Sequence, residues 1–215
     1  MSEAFYLEIQ LNGEPFYLLP QKAIYRPLKK QLFFSDIHLG KTTHFRKKGI
    51  ALPQQSKLKD IDLITSLINH YQPLQIIFLG DLFHSSYNNE WLYFKSLLQQ
   101  FATLQFILVK GNHDILKDDI YAIKNLDVID VLEEEQFIFT HYPLENPIKL
   151  NFCGHVHPGY TLRGKAKQSI TLPCFYKQNL TFMLPAFGNL TGLFAVQKNK
   201  KTSIYLITQK MVIEA

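Results

Sequence analysis

The stretch Leu32-Phe33-Phe34-Ser35-Asp36-Ile37-His38-Leu39-Gly40 decides the fold. An apolar run that ends in Asp-Ile-His and then a glycine predicts a buried strand that continues into a loop. Because successive side chains of a strand point to opposite faces, Asp36 and His38 are expected on the same side of the chain. A carboxylate and an imidazole are costly to bury without a partner, and a divalent metal ion accepts both. The pair therefore indicates either a metal site or a hydrogen-bonded turn.

Two further apolar runs, residues 74–79 and 104–109, repeat this arrangement of a strand followed by polar residues. Helical spacing of apolar residues over 56–71 and 90–101 separates the three runs. This alternation predicts a parallel sheet covered by helices, with polar side chains at the carboxyl ends of its strands. Asn12-Gly13 predicts an amino-terminal hairpin. After about Asp127 the chain has mainly strand-like segments, which predict a second, more antiparallel sheet packed on the first.

The composition indicates one domain over residues 1–215, because the chain has no Gly/Ser-rich linker and no repeat. Its two cysteines, Cys153 and Cys174, do not form a disulfide framework, which fits a reducing cytosol. The first residues do not resemble a secretory signal, and the apolar runs are far too short to span a bilayer. We therefore expect a cytoplasmic protein without a membrane partner. The net charge of +5 is modest and does not by itself indicate which class of molecule the protein binds.

Five polar clusters follow apolar strands or begin the loops after them. They are Asp36-x-His38, Gly80-Asp81, Gly111-Asn112-His113-Asp114, Thr140-His141 and Gly154-His155-Val156-His157. In an extended chain His155 and His157 would face one cavity, as Asp36 and His38 would. Without His113 the clusters offer two Asp, one Asn and four His, which is too many ligands for one tetrahedral zinc ion. They predict two divalent ions of the Mn²⁺, Fe or Zn²⁺ type that share a bridging carboxylate.

This ordered set resembles the motifs of the calcineurin-like metallophosphoesterase superfamily, and the resemblance extends from Asp36 to His157. It implies an α/β (α+β) fold, namely a four-layer sandwich of two mixed β-sheets flanked by helices. It also implies a ligand assignment with Asp81 as the bridge. One metal would be held by Asp36, His38, Asp81 and His157, and the other by Asp81, Asn112, His141 and His155.

The implied activity is metal-dependent hydrolysis of phosphoesters. Two divalent ions about 3.5–4 Å apart can convert a bridging water to hydroxide, which attacks phosphorus in line with the leaving oxygen. His113 would then protonate the leaving group as general acid. Asp114 is expected to orient His113 by accepting its other N–H, or to cap the segment that follows.

Two resemblances narrow the activity to nucleic acid. Gly80-Asp81-Leu82-Phe83-His84 is similar to the second motif of SbcD-type nucleases, which implies a part for His84 in phosphodiester cleavage, although a packing role remains the alternative. The sequence also resembles the signature of the ligase-associated DNA damage response endonucleases (the PdeM type), in residues 36–50, 153–158, 172–175 and 184–188. That family implies a Mn²⁺-dependent endonuclease in DNA repair. Its implied functional partners are an ATP-dependent DNA ligase, a helicase and an exonuclease.

A basic loop behind the first motif agrees with a nucleic-acid substrate, single-stranded or flexible. Lys41, His44, Arg46, Lys47 and Lys48 are placed to bind phosphates beside the scissile one, although a solvated loop is the alternative. Two other functions remain open. One is a phosphodiesterase or phosphatase for small molecules such as cyclic nucleotides or nucleotides, and the other is a metal-stabilised binding module that recruits the ligase.

Overall fold

The computed structural model describes residues 6–41, 59–84, 90–189 and 191–215. The strands are β1 (Leu7–Leu11), β2 (Glu14–Leu18), β3 (Ile24–Arg26), β4 (Gln31–Phe34), β5 (Gln75–Leu79), β6 (Gln105–Val109), β7 (Leu126–Ile129), β8 (Leu132–Glu133), β9 (Phe137–Phe139), β10 (Leu150–Cys153), β11 (Pro158–Arg163), β12 (Ser169–Gln178), β13 (Thr181–Met183), β14 (Phe194–Ala195), β15 (Thr202–Ile207) and β16 (Val212–Glu214). The helices are α1 (Lys59–Tyr71), α2 (Glu90–Gln100) and α3 (Asp118–Tyr121).

The first sheet has the strand order β1-β2-β3-β4-β5-β6-β7. Strands β4 to β7 are parallel, as the strand and helix alternation predicts. The first four strands are antiparallel neighbours. They begin with the expected hairpin, in which Asn12 and Gly13 both have positive φ, at 52° and 79°. Two successive left-handed residues match the twist of the flanking strands.

The second sheet has the order β14-β11-β12-β13-β10-β9-β8, with β15 and β16 attached beside β12. It is less antiparallel than the sequence suggests, because β10 pairs in parallel with both β9 and β13. Strand β11 was not expected, since Pro158 and Gly159 at its start are poor strand formers. Strand β12 is ten residues long, well beyond the short segment at 170–172 that its apolar residues indicate.

The two sheets pack face to face over an apolar core that is rich in phenylalanine, including Phe33, Phe139, Phe152 and Phe182. A second apolar layer joins the other face of the first sheet to α1 and α2. The predicted sandwich of two mixed sheets with flanking helices is therefore confirmed. Over the described ranges, no helix covers the outer face of the second sheet, where a small cluster around Cys174 lies.

The carboxyl ends of β4, β5 and β6 meet the loops after β9 and β10 at one edge of the sandwich. None of the described helices is both long and apolar enough to cross a membrane.

Candidate metal centre

The first two motifs run side by side beyond the ends of their strands. The Asp36 amide donates to the carbonyl oxygen of Gly80 at 3.1 Å, and the His38 amide to that of Asp81 at 2.9 Å. The strand nevertheless stops at Phe34. Asp36 and His38 have left-handed backbones with φ of 53° and 52°, so strand alternation is the wrong explanation for their shared direction. The two side chains converge because the chain turns at each of them.

The same correction applies to the last motif. His155 and His157 have φ of 66° and 55°, and Asp81 has φ of 51°. The extended conformation predicted for His155 and His157 is therefore wrong. Non-glycine residues with positive φ are uncommon and cluster at functional sites, where the surrounding structure imposes them. Five of the seven predicted ligands therefore have a strained backbone.

Two groups of candidate ligands form at this edge. The ligand atoms of Asp36, His38 and His157 all lie within 4.8 Å of one another. The shortest distance recorded among them joins His157 Nε2 and Asp36 Oδ1, at 3.1 Å. We call these residues the first group.

The second group consists of Asp81, His141 and His155, whose ligand atoms also lie within 4.8 Å of one another. Asn112 belongs beside them, since its Oδ1 lies 3.2 Å from His141 Nε2. Asp81 stands between the groups. Its Oδ1 is 3.5 Å from His141 Nε2, and its Oδ2 is 3.9 Å from His38 Nε2. This is the position that a bridging carboxylate requires.

The donor atoms fit divalent metal ions. Four buried donor or acceptor atoms make no hydrogen bond of good geometry among the described residues: Asp36 Oδ1, both ring nitrogens of His38, and His157 Nε2. His157 Nε2 and Asp36 Oδ1 have only their mutual contact at 3.1 Å. An unsatisfied buried polar group costs about 1–3 kcal/mol, a cost that a bound cation removes. Burial also lowers the pKa of His38 to about 3, which keeps its imidazole in the neutral form that binds metals.

Hydrogen bonds from outside the two groups orient the ligands. His141 Nδ1 lies 2.9 Å from the carbonyl oxygen of Leu79, which can only accept, so Nε2 is the nitrogen left to bind a metal. Asp36 Oδ2 accepts from the Ser35 hydroxyl and from the His155 amide. Burial alone would raise the pKa of Asp36, but His157 and Ser35 outweigh it and hold this pKa below its ordinary value.

Three motif glycines leave the space in which the ligands lie. A Cβ atom on Gly80 would be 2.2 Å from His141 Nδ1, and one on Gly111 would be 2.3 Å from Asp81 Oδ1. A Cβ atom on Gly154 would be 1.7 Å from Ser35 Oγ. Real Cβ atoms essentially never lie under 3 Å from another heavy atom, so any side chain at these positions would displace a ligand or its support.

The predicted general acid, His113, lies against His84. Their rings stack with centroids 5.4 Å apart, and the His113 ring is also 5.4 Å from that of His38. His113 Nδ1 lies 3.1 Å from the carbonyl oxygen of His84, which therefore orients it. The carboxylate of Asp114 is used elsewhere.

Asp114 accepts the amides of Gly111 at 2.9 Å and Phe83 at 3.2 Å. It joins the loop after β5 to the loop after β6, so the expected Asp114–His113 hydrogen bond is replaced by the His84 contact. The helix cap expected from Asp114 is also absent, because α3 begins at Asp118 with Lys117 as its N-cap residue. Burial raises the pKa of Asp114 to about 6.

Lys41 is the described part of the predicted phosphate-binding loop. It is half-buried, and its amide donates to the carbonyl oxygen of His38 at 3.1 Å. Partial burial lowers the pKa of Lys41, and the charges of Asp36 and Asp81 oppose that shift. His44, Arg46, Lys47 and Lys48 lie outside the described residues and stay predictions.

Sequence reasoning missed Asn151, which is fully buried in β10. Its Nδ2 donates to Thr140 Oγ1 at 2.8 Å, and its Oδ1 accepts the amide of Leu144 at 3.0 Å. These bonds hold both ends of the turn that carries His141. A lone amide side chain within an apolar strand was the available signal.

Comparisons with known proteins agree with this geometry. The family model for calcineurin-like phosphoesterases matches residues 29–207. The crystal structure of Pseudomonas putida nuclease MPE superposes with a TM-score of 0.84 and 27% identity, over 98% of this chain and 100% of that one. The Escherichia coli phosphoesterase YfcE gives a TM-score of 0.44 and 15% identity, over 85% of this chain and 96% of that one. No curated protein matches the chain. Because the family model covers most of its length, the chain belongs to the calcineurin-like phosphoesterase family and is a metal-dependent phosphoester hydrolase.

Proposed function

We propose that the protein is a two-metal phosphodiesterase that cleaves nucleic acid internally. The observation that carries this proposal is the pair of ligand groups joined by Asp81, with His113 and His84 stacked beside the first group. The likeness to the Pseudomonas putida nuclease supports the substrate class, since it extends over nearly the whole of both chains.

The first group with Asp81 would hold one ion, and the second group with Asn112 would hold the other. When bound, the two ions supply Lewis acidity and positive charge toward the phosphoryl oxygens and lower the pKa of a water molecule. The protein's part is to fix their positions, through the hydrogen bonds to Asp36 and His141 and the space left by the three glycines.

His113 is proposed to protonate the leaving oxygen. Since the carbonyl oxygen of His84 can only accept, His113 Nδ1 carries a proton, and Nε2 can donate only from the imidazolium form. The stacked His84 ring then limits the rotation of His113 and lies beside the same phosphate. Lys41 would neutralise charge on a neighbouring phosphoryl oxygen.

The cellular setting is part of the proposal and rests on the sequence signature of the PdeM type. We propose Mn²⁺ as the metal in both positions, with Fe or Zn²⁺ as the alternatives, and one cytoplasmic domain over residues 1–215. We also propose a DNA-repair role beside an ATP-dependent DNA ligase, a helicase and an exonuclease. The basic loop 41–48 is the proposed contact for phosphates next to the cleaved bond.

The test is a substrate panel with Mn²⁺, in which metal content is measured on the same sample. It compares single-stranded DNA, single-stranded RNA and duplex DNA with 2′,3′-cyclic nucleotides and p-nitrophenyl esters. We expect internal cleavage of the unpaired oligonucleotides. Hydrolysis confined to the small esters would reject the nuclease and favour a small-molecule enzyme.

Variants connect the activity to this site. Asp81→Asn should reduce both metal content and cleavage, whereas Asp62→Asn, an exposed carboxylate on α1, is the matched control and should change neither. For His113→Ala we expect metal to be retained and diester cleavage to fall about 100-fold or more, with less effect on esters that have good leaving groups. Equal loss on both kinds of substrate would argue against a leaving-group acid.

A further inference from the structure

A strip of surface begins at the first group of ligands and follows the edge of the second sheet. Strand β11 starts at the residue after His157, and β14 pairs in parallel beside it. The amide of Phe194 donates to the carbonyl oxygen of His157 itself, at 2.9 Å. The Phe194 side chain is 63% exposed, and within the described part of the chain it stacks on no other ring. An exposed aromatic residue is thus fixed, through its backbone, to a metal ligand.

The close approach of the two strands depends on Gly159. A Cβ atom at this position would lie 2.9 Å from the Cβ atom of Leu193. Because Gly159 has no side chain, residues 193–195 can approach β11 closely enough for β14 to pair with it. Leu193 and Phe194 are both exposed in this segment. The exposed apolar residues at the edge are therefore held by a regular pairing of two strands.

The charge of this region has one sign. Residues 146–213 contain nine Lys or Arg and no Asp or Glu, although the whole chain has 18 acidic residues. Arg163, Lys165 and Lys167 are exposed at the far end of the β11–β12 hairpin. With a rise of about 3.3 Å per residue, Arg163 lies about 20 Å along the strand from His157. Along β11 and the turn to β12, residues 158–168, every charged residue is basic, namely Arg163, Lys165 and Lys167.

An open groove of about 600 Å³ runs beside the same strands. It is lined by residues 160–163 of β11 and by residues 195–197, which include β14 and the two residues after it. Its volume lies in the range of pockets that hold small organic ligands, so it has room for a nucleotide unit. Its lining includes one cation, Arg163, and one aromatic ring, Tyr160. Proteins that bind unpaired strands combine positive charge with aromatic side chains in this way.

We infer that this strip, defined by Phe194, Arg163, Lys165 and Lys167, binds the single-stranded segment of the substrate on one side of the cleaved bond. Phe194 stacks on an unpaired base, and the three cations contact successive phosphates. The inference rests on the proposed nuclease function and adds the direction in which the strand leaves the metal centre. Single-stranded nucleic acid is favoured over a protein partner for two reasons. The charged residues that define the strip are all basic, and the strip begins next to the ligand His157.

Binding of a labelled single-stranded oligonucleotide by the full-length protein, followed by fluorescence anisotropy, tests the strip, and the same samples give KM and kcat for cleavage. Phe194→Ala should weaken binding about 5- to 100-fold, as loss of one stacked base does, with the change mainly in KM. The backbone bond to His157 survives this substitution. Tyr93→Ala is the matched control, since Tyr93 is 41% exposed on α2, and it should bind as the wild type does.

Arg163→Gln tests the phosphate contacts separately. Removal of one contact should lower the slope of log Kobs against log salt by about 0.7, the value for one phosphate of a single strand. Lys95→Gln, an exposed cation on α2, should leave the slope unchanged. A merely structural role for Arg163 would not alter a salt slope.

The possible outcomes distinguish failure of the strip from failure of the proposed nuclease function. If the wild type cleaves oligonucleotides while Phe194→Ala and Arg163→Gln bind them as tightly and with the same salt slope, the strip is wrong and the nuclease stands. If the wild type neither binds nor cleaves oligonucleotides but hydrolyses small esters, both are wrong. A change of oligomeric state in Phe194→Ala, with oligonucleotide binding unaltered, would overturn the inference in favour of self-association.

Discussion

Replacement of Asn151 by alanine should weaken the metal centre from a distance. Asn151 touches no ligand, but its amide joins Thr140 and Leu144, the residues that flank the turn of His141. In Asn151→Ala the buried Thr140 hydroxyl loses its donor and the Leu144 amide loses its acceptor. At about 1–3 kcal/mol for a buried group, and less for the partly exposed Leu144, the free energy of unfolding should fall by about 2–4 kcal/mol.

The effect on metal binding should be unequal between the two groups. Loss of a residue that orients a ligand from outside the coordination sphere typically costs about 10- to 100-fold in metal affinity. We expect that loss at the second group, which contains His141. The first group has its own supports in Ser35 and the His155 amide, and should keep most of its affinity. Calorimetric titration with Mn²⁺ should therefore show one binding step weakened and one largely retained.

Asn125→Ala is the matched control, because Asn125 Nδ2 donates to three carbonyl oxygens in the last turn of α2 and in the turn before β6, away from the candidate ligands. This variant should lose stability in urea denaturation without a change in metal binding. If Asn151→Ala loses stability but binds two ions as tightly as Asn125→Ala does, the reasoning about the His141 turn is refuted.

Three other substitutions test the packing and the electrostatics. Gly154→Ala should abolish metal binding at the first group, because the new Cβ would lie 2.5 Å from Asp36 Oδ2. Gly192→Ala is the control and should bind metal as the wild type does, because nothing lies within 4 Å of the added Cβ. Measurement of the metal content of both variants tests this prediction. Arg26→Met should lower the free energy of unfolding in urea by about 3–5 kcal/mol, since Arg26 is 2% exposed and its removal leaves Glu14 without a cation and Glu134 with Lys29 alone. A loss below about 1 kcal/mol would contradict this. Burial raises the pKa of Asp60 from 3.8 to about 6, so the folded state binds this proton more tightly than the unfolded state does. The free energy of unfolding should then fall as the pH rises between about 4 and 6, and Asp60→Asn should remove that fall; identical pH profiles for the two proteins would show that Asp60 does not contribute.

The candidate ligands could be predicted from the sequence because their signals are local. Each apolar run has the length of a strand, and the polar residues follow directly after it. In a parallel sheet those ends must meet at one edge, so the motifs predict both the sheet and the site. The helices and the amino-terminal hairpin were predicted on similarly local patterns.

The remainder depends on contacts between distant parts of the chain. The parallel pairing of β9 with β10 cannot be inferred from either strand alone, nor can the left-handed turn at His38, whose amide bonds to Asp81. Asp114 was predicted to support His113, its neighbour in sequence, whereas folding gives that role to the carbonyl oxygen of His84. Proximity in the sequence predicted which residues lie at the candidate metal centre, but it did not predict which atoms form hydrogen bonds with one another.

The positive φ angles at the ligands have a consequence for how this sequence can change. At positions such as 38 and 155, glycine or asparagine would adopt the observed backbone more easily than histidine does. Each such replacement would remove strain of about 1 kcal/mol or more and would at the same time remove a ligand. Selection for stability and selection for activity therefore favour different residues at the same positions. A descendant that no longer needed to hydrolyse phosphoesters would gain stability by losing its ligands, and would keep the sandwich after its chemistry had gone.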